Sequence, residues 1–389
     1  MNIALVLHTT DSFRGATKAI MRILGHLREK EVRVFFIVPD NKGIYEDLKK
    51  QGHSLLVINY RPCAYPGHRN LKAKLLFSPR LVARIILNKK AVNCMARYLQ
   101  DKDIHLIHTN TSIIKIGYDC ARKLGLPHIY HIHEYADLMG YRYFPNQQSF
   151  VRQLRTSYSI CITKDVQSHY GLTTSNFSRV IYNGIRSTVF DRPVRSSGEG
   201  YFLFAGRIEP NKGLDILLRA YKEYVSVARN VIPLYVAGAV GFNQQQYMVE
   251  MKQYIIDYQL QQLVCFMGER DDIDTIMREA RAIVIPSLYE GFGLCMPEAM
   301  FNGCLAIGHN TTGTKEQLDN GLELKGEEIG LRYDTEAELT RCLTDVADKP
   351  SDVYTPYVEL AFSTVNSLYT TERNAEQVYQ FYQEVVGKR

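Results

Sequence analysis

Short apolar runs alternate with amphipathic stretches along the chain. In the first half, Asn2–His8, Val32–Val38, Ser54–Ile58, Ile104–His108, Pro127–Ile132, Tyr158–Thr163 and Arg179–Tyr182 read as strands, with helical patterns such as Ala16–Lys30 and Thr111–Leu124 between them. Strands that are apolar throughout are covered on both faces, and their spacing by helices predicts a parallel sheet. The stretch Asp191–Gly200, DRPVRSSGEG, breaks the pattern with Gly, Ser and Pro and reads as a linker. The same grammar then restarts, with strands expected at Tyr201–Ala205, Ile232–Ala237, Leu263–Met267, Ala282–Ile285, Cys304–Ile307 and Ile329–Tyr333. A last helical segment, Thr371–Val386, carries Tyr and Val at helical spacing and is expected to pack back across the linker. The predicted fold class is α/β: two doubly wound Rossmann-like domains, 1–190 and 191–370, with helix 371–389 returning to the first. Ligands of such sheets sit at the carboxyl ends of the strands, so a cleft between two facing domains is the expected site.

A chain of 389 residues with 46% hydrophobic and 23% charged content holds two full cores. No apolar run reaches the ~18 residues of a membrane span, and the start, MNIALVLHTT, has neither basic leader nor apolar h-region. Eight scattered cysteines without a CxxC read as reduced thiols, so a cytoplasmic protein is expected. The net charge of +6 hides an asymmetry: residues 1–180 hold 27 Lys and Arg against 12 Asp and Glu, the remainder 20 against 29. Within Arg69–Arg97 lie Arg69, Lys72, Lys74, Arg80, Arg84, Lys89, Lys90 and Arg97, interleaved with apolar residues and free of acids. A basic amphipathic helix of this kind suits an anionic membrane surface, on the cytoplasmic face, and no nucleic acid is expected.

Two stretches of the second half carry chemistry. In PSLYEGFGLCMPEAMFNG (Pro286–Gly303), a strand ends, a glycine-punctuated loop follows, and Pro297 is expected to open a helix with Glu298 in its first turn. Such a helix start offers N–H groups to an anion. Glu290 and Glu298 bracket it, and carboxylates there suit hydroxyl groups better than phosphate, which points to a sugar nucleotide. In AGRIEPNKGLDILLRAY, Arg207 and Lys212 flank the loop after a strand, next to Gly206 and Gly213, where they can reach a diphosphate.

Together GRIEPNKG, VIYNGI (Val180–Ile185) and PSLYEGFGLCMPEAM resemble the retaining GT-B glycosyltransferases of family 4, the glycosyl transferases group 1. Their order and spacing match that family along the second half, and the repeated α/β grammar matches its fold over the whole length. The resemblance implies that Arg207 and Lys212 neutralise the nucleotide diphosphate and that Glu290 holds a donor-sugar hydroxyl. Phe292, Gly293 and Leu294 would give N–H groups to sugar and phosphate oxygens, and Glu298 would bind the ribose. Gly206 belongs to the donor set. Gly15 would let the backbone approach the donor phosphate, and His133, followed by Glu134, matches the family's His-Asp/Glu position. Arg14 joins the acceptor side, and His131 either joins it or is a satisfied core residue. The expected activity is retaining transfer of a hexose or N-acetylhexosamine from a nucleotide-diphosphate sugar, UDP- favoured over GDP-, to a glycan acceptor. A lipid-linked acceptor in surface-polysaccharide assembly is expected, with no cofactor and no metal. A GT-B-like nucleotide-sugar epimerase and a non-catalytic sugar-nucleotide binder are the competing readings.

Weaker signals surround this set. Asp272-Ile273-Asp274 has the DxD form of metal-dependent transferases but precedes a helical run, so capping is expected. In HIYHIH, His131 and His133 fall on one strand face, while His105 and His108 are expected to be structural. Arg14-Gly15-Ala16-Thr17 departs from the family's Gly-Gly-Ala-Glu; a phosphorylated acceptor would suit Arg14, and so would solvent. Gly303-Cys304-Leu305-Ala306 lacks the usual proline, for which a packing change is expected.

Overall fold

The computed structural model describes residues 1–12, 14–66, 77–144, 146–185 and 200–388. The boundary expected at 190/191, most of the expected linker, and Arg69, Lys72 and Lys74 of the basic segment lie outside the described residues. The chain divides into two compact units, Met1–Gly184 with Thr371–Arg389, and Ile185–Thr370.

The first unit is built on a seven-stranded sheet. Its strands are β1 (Asn2–Val6), β2 (Arg33–Val38), β3 (Ser54–Val57), β5 (Leu106–Thr109), β6 (His128–Ile132), β8 (Tyr158–Cys161) and β9 (Ser178–Val180). They run in the order β3-β2-β1-β5-β6-β8-β9, every pair parallel. β1 and β5 are buried along almost their whole length, as strands sandwiched between helix layers must be. On one face, Ile20, Ile23 and Leu27 of the helix Gly15–Glu29 pack with Val378, Phe381 and Tyr382 of the helix Thr371–Gly387. On the other lie Val92, Met95 and Leu99 of the helix Phe77–Leu99 and Cys120 of the helix Ile116–Leu124. An antiparallel ribbon of three residues a side, β4 (Ala64–Pro66) with β7 (Tyr141–Tyr143), stands outside the sheet.

The second unit repeats the plan with β10 (Phe202–Ala205), β11 (Leu234–Ala237), β12 (Val264–Gly268), β13 (Ala282–Ile285), β14 (Leu305–His309) and β15 (Leu331–Tyr333). Their order is β12-β11-β10-β13-β14-β15, again parallel. Its core joins Leu217, Leu218, Tyr221 and Tyr224 of the helix Leu214–Val227 to Leu339 and Leu343 of the helix Glu336–Asp348. That second helix begins with a full capping box between Thr335 and Glu338.

Both sheets reverse their winding direction once, between β1 and β5 in the first and between β10 and β13 in the second. Loops leaving the carboxyl ends of such neighbours go to opposite faces and open a crevice, the place where doubly wound sheets bind ligands. Gly15 and Asn110 follow β1 and β5; Arg207 and Glu290 follow β10 and β13.

Two local expectations are corrected. The helix expected over Thr111–Leu124 begins only at Ile116, because Thr111 and Ser112 turn their polar groups onto Glu134 instead. The helix expected to open at Pro297 spans Cys295–Phe301, which leaves Pro297 in its first turn, where a missing N–H costs nothing.

Candidate active site

At the switch point of the second sheet, the loop after β10 is pressed against the end of β13. Gly213 sits in left-handed backbone at φ +70°, and a Cβ there would lie 2.0 Å from the Pro286 carbonyl oxygen. Only glycine fits. The Leu288 N–H donates to the Asn211 carbonyl at 2.9 Å and locks the two loops together. This contact sets Lys212 beside Glu290, with Nζ donating to Oε1 at 2.5 Å and side chains only 19% and 12% exposed. Ser287 Oγ donates to the same oxygen at 2.8 Å. The Glu290 N–H donates to Thr312 Oγ1 at 2.9 Å, and its carbonyl accepts from the Gly313 N–H at 3.0 Å. Glu290 is thus fixed at both backbone and side chain.

Arg207 is paired as well. Its Nη1 donates to Glu209 Oε2 at 2.8 Å, while the side chain stays 37% exposed. Glu209 is buried and its other oxygen, Oε1, has no hydrogen-bond partner. Reading the sequence missed Glu209; its position between two cations in GRIEPNKG was the available signal. The Gly206 N–H is spent on the Ala237 carbonyl at 2.9 Å.

Between the glutamates, Phe292 is buried edge-on against Tyr369, with ring centroids 5.2 Å apart. Gly293 is left-handed at φ +77° and lies against the Glu290 side chain. Gln317 donates to the Phe292 carbonyl, pinning the loop from the helix Thr312–Lys325. Leu294 stands at the N-cap position of the short helix without a side-chain cap, and Glu298, half-buried, lies in its first turn.

The DxD segment does something else. Asp272 stands at the N-cap position of the helix Ile273–Glu279 without making the expected side-chain cap. Its carboxylate is instead held by both Arg270 Nε at 2.8 Å and Nη2 at 2.6 Å, which keeps its pKa below the usual carboxylate range. Among the described residues, no group of three or more His, Cys, Asp or Glu could hold a metal ion.

At the switch point of the first sheet the groups are different. His133 Nε2 lies 3.0 Å from Asn110 Oδ1. Glu134 Oε1 accepts from Thr111 Oγ1 at 2.7 Å, the Ser112 N–H at 2.8 Å and Ser112 Oγ at 2.6 Å; its Oε2 accepts from the His133 N–H at 3.2 Å. Glu134 is therefore a brace for this turn. His131 and His133 do share a face, with ring centroids 4.0 Å apart, and His108 lies 5.3 Å beyond His131. His108 Nδ1 bonds to Tyr382 Oη at 2.6 Å, and His105 Nδ1 accepts from the Asn2 N–H at 3.2 Å. Neither ring nitrogen of His131 has a partner. Burial, helped by Arg14, lowers His8 to about 4, and burial, helped by His8 and His108, lowers His133 to about 3. The row stays neutral near pH 7. Gly15 opens its helix and is not among the left-handed glycines. Arg14 pairs with Asp11 at 3.2 Å and is 37% exposed.

Comparison with known proteins adds the family. The profile of the glycosyl transferases group 1 matches residues 186–328, and that of Glycosyltransferase Family 4 matches residues 13–188. An uncharacterized glycosyltransferase of Methanocaldococcus jannaschii is 23% identical over 286 residues, 64% of this chain and 75% of its own. The UDP-Gal:alpha-D-GlcNAc-diphosphoundecaprenol alpha-1,3-galactosyltransferase of Escherichia coli is 26% identical over 276 residues, 64% and 69% of the two chains. O-antigen chain mannosyltransferases of Escherichia coli and Salmonella typhimurium match over only 32% and 44% of their lengths. The crystal structure of Anabaena HepE in complex with UDP and glucose has the same fold, with a TM-score of 0.74 at 18% identity over 97% of this chain and 98% of that one. With the two profiles running through both sheets, the chain belongs to family 4 of the glycosyltransferases, the glycosyl transferases group 1, and is a transferase of the GT-B fold.

Proposed function

We propose that this enzyme transfers a hexose or N-acetylhexosamine, with retention of configuration and without a metal, from a nucleotide-diphosphate sugar to a growing glycan. The observation that carries the reading is the Lys212–Glu290 pair fixed beside Arg207 at the switch point of the second sheet. A diphosphate leaving group concentrates developing charge on phosphate oxygens, and two positioned cations stabilise it. In the transfer step the acceptor hydroxyl oxygen forms the new bond to the anomeric carbon while the carbon–oxygen bond to the diphosphate breaks. The hydroxyl proton passes to the departing phosphate. Glu290 holds a sugar hydroxyl and Glu298 the ribose, so neither serves as a hydrolase acid. His133 serves the reacting face of the sugar.

UDP is the favoured nucleotide, supported by the UDP in the HepE complex and by the UDP-Gal in the name of the E. coli relative. The diphosphoundecaprenol in that name, and the O-antigen chains of the mannosyltransferases, support a lipid-linked acceptor in surface-polysaccharide assembly. No helix among the described residues is long and apolar enough to cross a membrane. Arg80, Lys89 and Lys90 are exposed on the helix Phe77–Leu99 beside exposed Val82 and Ile86, which supports peripheral contact with anionic lipid. Arg84 is set aside from this role, since it donates to the Pro62 carbonyl at 3.1 Å.

Incubation with UDP-, GDP- and ADP-sugars, read by thermal stabilisation and slow hydrolysis, tests the donor. Glu290→Ala is expected to bind nucleotide and to lose transfer; full retained transfer refutes the role. Neutralising Arg80, Lys89 and Lys90 together is expected to weaken binding to anionic vesicles, and unchanged binding removes the membrane contact.

A further inference from the structure

Asn110 follows β5 and is completely buried. Its side-chain amide touches two groups that the chain separates widely: Nδ2 donates to the Ala16 carbonyl at 2.9 Å, and Oδ1 faces His133 Nε2 at 3.0 Å. Its own N–H donates to the Val6 carbonyl at 2.9 Å. One residue therefore ties the end of β1, the start of the helix Gly15–Glu29 and the turn after β6.

The direction of these bonds decides a proton position. A carbonyl oxygen only accepts, so Ala16 requires the NH₂ end of the amide; the flipped amide would face oxygen against oxygen. Oδ1 must then lie toward His133, and because it also only accepts, the ring must donate from Nε2. In a neutral imidazole the other nitrogen, Nδ1, then keeps its lone pair.

We propose that Asn110 is a positioning residue that holds His133 in the Nε2–H tautomer, so that Nδ1 is offered as a neutral acceptor to a sugar hydroxyl. The proposal rests on the reading of His133 as a working side chain. Everything that faces the ring favours the neutral form. His8 from the loop after β1, His108 from β5 and His131 from β6 crowd it, and the Glu134 carboxylate is taken up by Thr111, Ser112 and the His133 N–H. Arg14 and Asp11 reach the group only through His8. A neutral acceptor selects a hydroxyl as donor and gives nothing to a phosphate.

Long-range ¹H–¹⁵N spectra of the histidine-labelled full chain report the tautomer directly. His133 is expected as Nε2–H in the unmodified protein; an Nδ1–H ring overturns the proposal, whatever the variants do. Asn110→Ala is expected to release the ring to a mixture of tautomers and to lower kcat by about 10- to 100-fold, with donor KM changed little. Asn110→Asp keeps an acceptor oxygen toward His133 but sets its other oxygen against the Ala16 carbonyl, so it is expected to lower the melting temperature while keeping Nε2–H and moving the pH profile of kcat upward. An unchanged tautomer in Asn110→Ala overturns the positioning role. Full activity in His133→Ala, with the tautomer as expected, overturns instead the reading of His133 on which the proposal rests.

Discussion

At the switch point of the second sheet the candidate side chains are charged and already paired, Lys212 with Glu290 and Arg207 with Glu209. At that of the first sheet they are neutral and deeply buried, a row of histidines held by an amide, a hydroxyl and one another. The same topology supplies the same kind of crevice, yet one holds two cation–carboxylate pairs and the other a row of neutral imidazoles beside a Glu134 carboxylate taken up by hydroxyl and N–H donors. On the proposed function, the difference follows from what each part of the donor needs. A diphosphate requires cations, and here counter-carboxylates hold the cations in place. Sugar hydroxyls require oriented donors and acceptors, which burial preserves by keeping imidazoles uncharged.

The strongest way to break this contrast is at the ion pair. Lys212→Ala is expected to lower transfer by about 100- to 1,000-fold. It also leaves Glu290 nearly buried without its cation, so the melting temperature should fall too; transfer within a few-fold of the original would sink the charged reading. Gly213→Ala comes next, because its Cβ meets the Pro286 carbonyl in a left-handed backbone. The loop must move, and a loss of roughly 2–4 kcal/mol in stability is expected by urea titration, together with weaker nucleotide binding.

Acid sharpens the other side. His8, His108 and His133 bind protons at about 4, 3 and 3 in the folded chain, against 6.5 ordinarily. The unfolded chain takes up more protons, so stability is whole above about pH 6.5 and is lost as pH falls toward 4. Each should cost on the order of 1–2 kcal/mol by about pH 5. Hydrogen exchange should show the loss in the first unit, since the second contains one histidine, His309; equal loss in both would break the contrast. The smallest effect is reserved for the DxD segment: replacing Asp272 and Asp274 should change activity by less than about 2-fold, with or without chelator. A chelator-sensitive loss would return a metal to the site.

The strands were legible wherever an apolar run was both continuous and bounded; Ala282–Ile285 coincides with β13 from end to end. The string EGFG followed by EAM announced the glycine loop because its punctuation is local. The ribbon of β4 and β7 escaped notice, since three residues a side leave no period to detect. Asn110 escaped for another reason. Its partners lie 94 and 23 residues away, and nothing in IHTNTS distinguishes a buried amide from a turn residue. Glu209 and the brace at Glu134 share that character: their roles reside in pairings that only the folded chain makes.

The helix Thr371–Gly387 places Ala375, Val378, Phe381, Tyr382 and Val385 in the core of the first unit, although the whole second unit precedes it in the chain. On the ribosome the contiguous second unit has all of its parts before the first does. The N-terminal sheet must wait, with Tyr382 still missing from His108, until the final turn of helix is released. Synthesis therefore reverses the order of the sequence: the half of the enzyme made first is the half completed last.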